Sequence, residues 1–179
     1  IASEIKNKMQ EKSVSSQCVL GIGCGFPAPV DNRSFVRNCV NLGIKDIYPG
    51  KEMEKRMPGL IVRIGNDANI AALGEMWQGS GQGRRNLLLV TLGTGVGSGI
   101  VIDGKIVSGR HGIAGEIGHF MVDPLETEHC SCGGTGHLNQ IASVPGILHY
   151  ARKFLQEDKR PSVLREKEDF DGADLTDAA

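Results

Sequence analysis

A chain of 179 residues, 40% of them hydrophobic, is long enough to bury a sizeable core and to form one domain or one and a half smaller ones. Its formal net charge of −1, with no basic cluster, gives no electrostatic footing for nucleic acid, and no apolar run approaches the roughly 20 residues of a membrane helix. No secretory signal is visible and the five cysteines do not make a disulfide framework, so the expected compartment is a reducing cytoplasm.

The chain opens in a charged, helix-compatible stretch, Ser3 to Lys12. Cys18 to Cys24 reads as a buried strand, and it leads into Gly25-Phe-Pro-Ala-Pro-Val-Asp31, a stiff loop whose two prolines hold an extended path. Residues 32–50 read mostly as connection, with a short strand around Phe35 to Cys39, and Glu52 to Arg56 read as helix. Leu60 to Ile64 is the next strand. It runs into Gly65-Asn-Asp-Ala-Asn69 and then a helix over Ile70 to Gln78, with Asn or Asp at its N-cap. A domain boundary is expected here, dividing 1–64 from 65–179. Cys18, Cys24 and Cys39 lie in or beside apolar segments and read as small core residues.

The next segment, Thr91-Leu-Gly-Thr-Gly-Val-Gly-Ser-Gly99, has a strand-like run on each side, Leu87 to Val90 and Ile100 to Ile102. Asp103-Gly104 is a type I′ hairpin signal, and Lys105 to Val107 follow it, so the glycines are expected to join strands of a meander. A dinucleotide fold needs a helix after its glycines and a Walker loop needs Gly-Lys-Ser/Thr; neither is present. The expectation is a phosphate-holding β-turn, in which glycine lets backbone N–H groups approach an anion closely. Beyond Gly109 to His119 and a Cys/His segment come a helix from about Pro145 to Gln156, a solvated stretch to Phe170 with one turn of helix, and a helix start near the last residues.

Three sets of side chains can carry chemistry. Asp67, between strand and helix, would stand at the strand's C-terminal edge where α/β proteins bind ligands; alone it reads first as a plain N-cap, and Asn66 and Asn69 beside it, more short polar side chains than a cap requires, turn the reading toward a site. Glu116 and His119 are three apart, so one helical turn puts them on one face. His119, His129, Cys130, Cys132 and His137 supply two thiols and three imidazoles, enough for a closed Cys₂His₂ zinc site, while a Cys130–Cys132 bridge would be strained.

Gly25-Phe-Pro-Ala-Pro-Val-Asp31, Asn66-Asp-Ala-Asn-Ile-Ala-Ala-Leu-Gly-Glu75, the glycine segment, Ala114-Gly-Glu-Ile-Gly-His119 and Cys130-Ser-Cys-Gly-Gly-Thr-Gly136, in this order, resemble the ROK family of repressors, open reading frames and sugar kinases, and its bacterial glucokinases most closely. The resemblance implies a partial α/β, actin-like (ribonuclease H-like) two-lobed sugar kinase fold, with residues 1–64 the remainder of the small N-terminal lobe and 65–179 the first part of the larger lobe. It implies ATP-dependent phosphorylation of the 6-hydroxyl of D-glucose, in a homo-oligomer, dimer or tetramer. Asp67 would be the catalytic base, and Asn66, Glu116, His119 and Asn139 would face the sugar. Gly93, Thr94, Gly95, Gly97 and Gly99 would wrap the ATP phosphates, and His119, Cys130, Cys132 and His137 would hold a structural Zn²⁺. The family's third cysteine is His137 here, and a glutamate that contacts sugar is Asn139. The motif carrying the Asp that works with Mg²⁺, and a C-terminal ATP-binding segment, have no counterpart in the chain, so the expectation is an internal piece of a longer kinase, inactive alone. The alternatives are a kinase for N-acetylmannosamine or N-acetylglucosamine and the sugar-sensing domain of a repressor.

Overall fold

The computed structural model describes residues 1–31, 34–39 and 42–178. Helix α1 (Ala2–Glu11) is followed by a 3-10 turn at Ser16–Cys18 and strand β1 (Gly21–Phe26). Then come β2 (Val36–Cys39), β3 (Ile44–Ile47), α2 (Pro49–Arg56), β4 (Ile61–Asn66) and α3 (Asp67–Gln78). The second half holds β5 (Leu87–Leu92), β6 (Val96–Ile102), β7 (Lys105–Ile106), α4 (Leu138–Ala142), α5 (Val144–Glu157) and α6 (Gly172–Asp177). The contacts divide the chain into two compact units, residues 1–89 with 99–115 and residues 90–98 with 116–179. The lobe boundary expected at 64/65 remains a proposal about the whole protein.

In the first unit β1 and β4 pair in parallel, from Gly21 opposite Ile61 to Phe26 opposite Asn66, and β2 and β3 pair antiparallel. The core is Ala28, Val30, Val36 and Cys39, with Phe26, Ile44, Ile47 and Ile64 packed on it. The extended path expected of the two prolines is interrupted: the chain bends at Pro27-Ala28, where the Ala28 amide donates back to the Phe26 carbonyl at 2.8 Å, and this turn delivers Ala28 and Val30 to the core. β3 departs from the connection expected over 32–50, of which residues 32, 33, 40 and 41 lie outside the described residues. Its apolar residues stand three apart rather than alternating, and Asp46 takes a φ of 50° between them, so both Ile44 and Ile47 reach the core without the period-two signature.

Two further expectations are corrected. The strand expected over Cys18 to Cys24 starts at Gly21, because Ser15 accepts a hydrogen bond from the Gln17 amide at 3.3 Å and closes a 3-10 turn ahead of it. Cys18 is therefore exposed rather than in the core; Cys24 is half-buried and Cys39 buried. The glycine turn is also shorter than expected, since β6 begins at Val96 and takes up Gly97 and Gly99. At Gly99 a Cβ would stand 2.5 Å from the Ala68 carbonyl oxygen and 2.6 Å from the Ala72 Cβ, so this glycine lets β6 pack against α3. The hairpin that follows is as expected: Asp103 and Gly104 have φ of 50° and 77°, and Val101 pairs with Ile106 in the three-stranded order β5-β6-β7.

The second unit is built differently. Ser143 caps α5, accepting from the Gly146 amide at 3.2 Å, and Arg152 on that helix pairs with Asp169 at 2.7 Å while lying over the Phe170 ring. Ahead of α4 the chain is irregular and joined by isolated bridges, Met121 to His137 and His129 to Thr135.

Candidate functional site

Asn66 ends β4 and caps α3: its Oδ1 accepts from the Asn69 amide at 3.0 Å, and its Nδ2 donates to the Ala28 carbonyl at 3.4 Å. The cap frees the next residue from that duty. Asp67 opens the helix, exposed, with Oδ1 accepting its neighbour's amide, Ala68 N–H, at 2.9 Å. Asn69 is buried, and its Oδ1 has no hydrogen-bond partner in the structure. A cleft of about 790 Å³ in the same unit, bordered by Met9, Val14, Met57 and Leu60, includes none of these residues.

In the second unit Glu116 precedes the 3-10 turn Ile117–His119, and its carbonyl accepts from the His119 amide at 3.1 Å. The one-turn spacing read from sequence is thus realised in a single tight turn. Residues 93–95 form the glycine turn proper, with Gly93 N–H donating to the Gly95 carbonyl at 2.9 Å. Asn139, on α4, does not stand apart from that turn: its Oδ1 accepts from the Val96 amide at 2.6 Å. The Val144 amide, at the start of α5, donates to the Gly93 carbonyl at 2.8 Å. Val144 was missed by sequence reasoning, although Ser143 followed by Pro145 marks the helix start that aims this amide.

The Cys/His segment resolves a choice that the sequence leaves open. The ligand atoms of His119, Cys130, Cys132 and His137 all lie within 4.8 Å of one another, whereas His129 sits outside the group with Nδ1 3.3 Å from the Gly133 carbonyl. Zn–S and Zn–N bonds of about 2.3 and 2.0 Å put tetrahedral ligand atoms about 3.3–3.8 Å apart, so a small inward shift would complete the site. Cys132 Sγ and His137 Nδ1 are already 3.4 Å apart. Burial pushes the Cys130 thiol up, but hydrogen bonds from the Cys132 amide and from His137 outweigh it and bring the group down to about 6. A thiol held this way is ready to ligate as thiolate. Two thiolates and two imidazoles from one short segment fit Zn²⁺, with no coordination position left for a substrate.

Gly134 bears on the unusual ligand. A Cβ there would come within 2.5 Å of His137 Cε1 and 2.7 Å of Nε2, so the larger ring occupies space that the absent side chain leaves. The loop is also tied to α5: Tyr150 donates to Asp123 at 3.2 Å and to Glu126 at 3.1 Å. Burial and these carboxylates push the Tyr150 hydroxyl up to about 12.

A sequence profile of the ROK family matches residues 1–179. A glucokinase of Halalkalibacterium halodurans is 42% identical over 188 residues, which cover 99% of this chain and 57% of that protein. A ROK family transcriptional regulator, a homologue of the E. coli MLC protein, superposes with a TM-score of 0.85 at 32% identity, over 99% of this chain and 44% of its own. The ROK glucokinase of Streptomyces griseus, solved in complex with glucose and AMPPNP, matches with a TM-score of 0.70 at 34% identity, over 89% of this chain and 50% of its own. The chain spans about half the length of these relatives. Its α/β fold is part of the actin-like fold of such sugar kinases, and the chain belongs to the ROK family.

Proposed function

We propose that this chain is the central part of an ATP-dependent hexose kinase that transfers a phosphoryl group to the 6-hydroxyl of D-glucose. The observation that carries this reading is Asp67, an exposed carboxylate on the first residue of α3 whose capping duty is taken by Asn66. Support comes from the 42% identity to a glucokinase.

Phosphoryl transfer asks a protein for positioning and charge stabilisation more than for covalent chemistry. Asp67 orients the hydroxyl and takes its proton as the bond to phosphorus forms, since an alcohol is too weak an acid to ionise first. Asn66, Glu116 and His119 hold sugar hydroxyls. Thr94 and Gly95, with Gly93 before them, offer backbone to the phosphates of ATP, bound as its Mg²⁺ complex. Of the five residues assigned to phosphate, Gly97 and Gly99 lie within β6, and Gly99 has a packing role there. Zn²⁺ held by His119, Cys130, Cys132 and His137 supplies structure, fixing the segment that carries His119. Among the described residues no helix is long and apolar enough to cross a membrane. A cytoplasmic location and a homo-oligomer are parts of the same proposal.

The likeness to a transcriptional regulator, with the TM-score of 0.85, favours a sugar-sensing repressor as the second reading. Sensing alone requires neither a base at Asp67 nor a glycine turn. The test is a panel of hexoses with ATP and Mg²⁺ on the full-length protein. Glucose 6-phosphate as the principal product supports the proposal, preference for an N-acetylated hexosamine replaces the substrate, and sugar-dependent DNA binding without phosphorylation replaces the function.

A further inference from the structure

The glycine turn is held at both ends by the helix pair behind it. At its start the Gly93 carbonyl accepts from the Val144 amide, the first residue of α5, at 2.8 Å. At its end the Val96 amide donates to Asn139 Oδ1 at 2.6 Å. A Cβ on Gly95 would stand 3.0 Å from that same Oδ1, so the Asn139 amide lies directly under the turn. Gly118, in the His119 turn, packs so closely on the Val96 carbonyl that a side chain there would meet the oxygen. Asn139 itself is fixed by α4, which starts immediately after His137, and the His137 amide donates to Gln140 Oε1 at 3.1 Å.

We propose that Asn139 is a positioning residue for nucleotide, bracketing the glycine turn through the Val96 amide, and not a contact with the sugar. This rests on the reading of the turn as a phosphate site. A backbone amide left unpaired at the end of a glycine-rich turn competes for any nearby acceptor and lets the turn open. Asn139 removes both effects: it commits the Val96 N–H, and, with the Gly93 N–H already given to the Gly95 carbonyl, it confines the phosphate-facing donors to residues 94 and 95. Because the bracket sits one residue beyond the first of α4, and α4 follows a metal ligand, the shape of the turn is tied to the order of the Cys/His segment by a chain of named bonds rather than by proximity.

The test uses the full-length protein as Asn139→Ala and Asn139→Asp, with hydrogen exchange at the Val96 amide, binding of AMPPNP, and separate KM values for ATP and glucose. Loss of the acceptor in Asn139→Ala should speed Val96 exchange and weaken AMPPNP binding and KM for ATP by about tenfold, the scale of one hydrogen bond, with KM for glucose unchanged. Asn139→Asp keeps an acceptor in place and should retain Val96 protection, so faster exchange in Asn139→Ala alone marks loss of the bracket rather than a general loosening by substitution; the added charge lies under the turn and disfavours phosphate, so AMPPNP affinity is read from Asn139→Ala. A rise in KM for glucose with KM for ATP unchanged would make Asn139 a sugar contact and overturn the proposal, as would Val96 exchange indifferent to both substitutions. Wild-type protein that binds no AMPPNP overturns the phosphate reading itself, a result distinct from a variant that binds it as tightly as wild type.

Discussion

The two units present their candidate residues by opposite means. Asn66 and Asp67 stand where a strand becomes a helix, on a parallel β1–β4 pair backed by the Val30, Val36 and Cys39 core. Their positions follow from hydrophobic burial and a capping bond, forces that regular structure supplies without help. In the second unit His119, the Cys/His segment and the glycine turn are all irregular. Between Glu116 and Gly136, Cys130 alone belongs to the buried apolar residues, so the segment has almost no core of its own. It is held by cross-links: the Asn139 and Val144 bonds to the turn, Tyr150, and the His119, Cys130, Cys132 and His137 group that could hold a metal. The lesson is that the first unit should tolerate loss of a functional side chain, whereas the second should lose its shape with it.

The strongest test of that contrast is Asp67→Ala in the full-length protein. Turnover should fall by about two to four orders of magnitude, the scale of a lost general base, while glucose affinity and Tm stay near wild type. Steady-state kinetics with a thermal melt checks both halves; unchanged kcat would remove Asp67 as the base. The counterpart in the second unit is Cys132→Ser or chelation. Metal analysis should find about one zinc per chain in wild type and little in the variant, and Tm should fall together with the zinc content. Zinc near zero in wild type, with a melt indifferent to chelator, would break the comparison.

Much of the first unit was legible because its signals are local and periodic: a helix-capping Asn before an Ala-rich face, two prolines after a strand, Asp-Gly at a hairpin. What was not legible there, β3, failed for a physical reason, since a left-handed Asp46 replaces alternation by a three-residue spacing. In the second unit composition pointed to a metal cluster but could not choose between His119 and His129, because ligation depends on which loop ends meet. The division of labour within the glycine segment was equally hidden. A glycine that approaches phosphate and one that admits a helix, as Gly99 admits α3, are the same letter.

A smaller effect separates geometry from composition inside the metal loop. With the imidazole free, a methyl at position 134 costs little, since the ring can swing away. Held by metal, the ring cannot move, so Gly134→Ala should weaken zinc binding by about tenfold or more in a competition against a chelator. In a His137→Cys background the shorter thiolate leaves the space empty, and the same Gly134→Ala change should then be nearly neutral. Equal losses in both backgrounds would mean that Gly134 serves the loop and not the ring.

The smallest expected change concerns Tyr150, the link between the loop and α5. Tyr150→Phe removes the donor to Asp123 and Glu126 and leaves two carboxylates facing each other without their shared proton donor. Both are partly exposed and water replaces the bond in part, so the expected drop in Tm is only about 2–4 °C. Its pH dependence has a definite sign. The tyrosine is shifted from its ordinary 10.0 up to about 12, so the folded chain favours the protonated hydroxyl; the contribution is complete below the ordinary value and is lost as pH rises through the shifted one. The Tm difference between wild type and Tyr150→Phe should therefore be flat from neutral pH to mildly alkaline pH. It should then shrink as pH rises from 10.0 to about 12, and a difference that stays flat there too would show that the hydroxyl ionises at its ordinary value and that the two carboxylates are not its acceptors in solution.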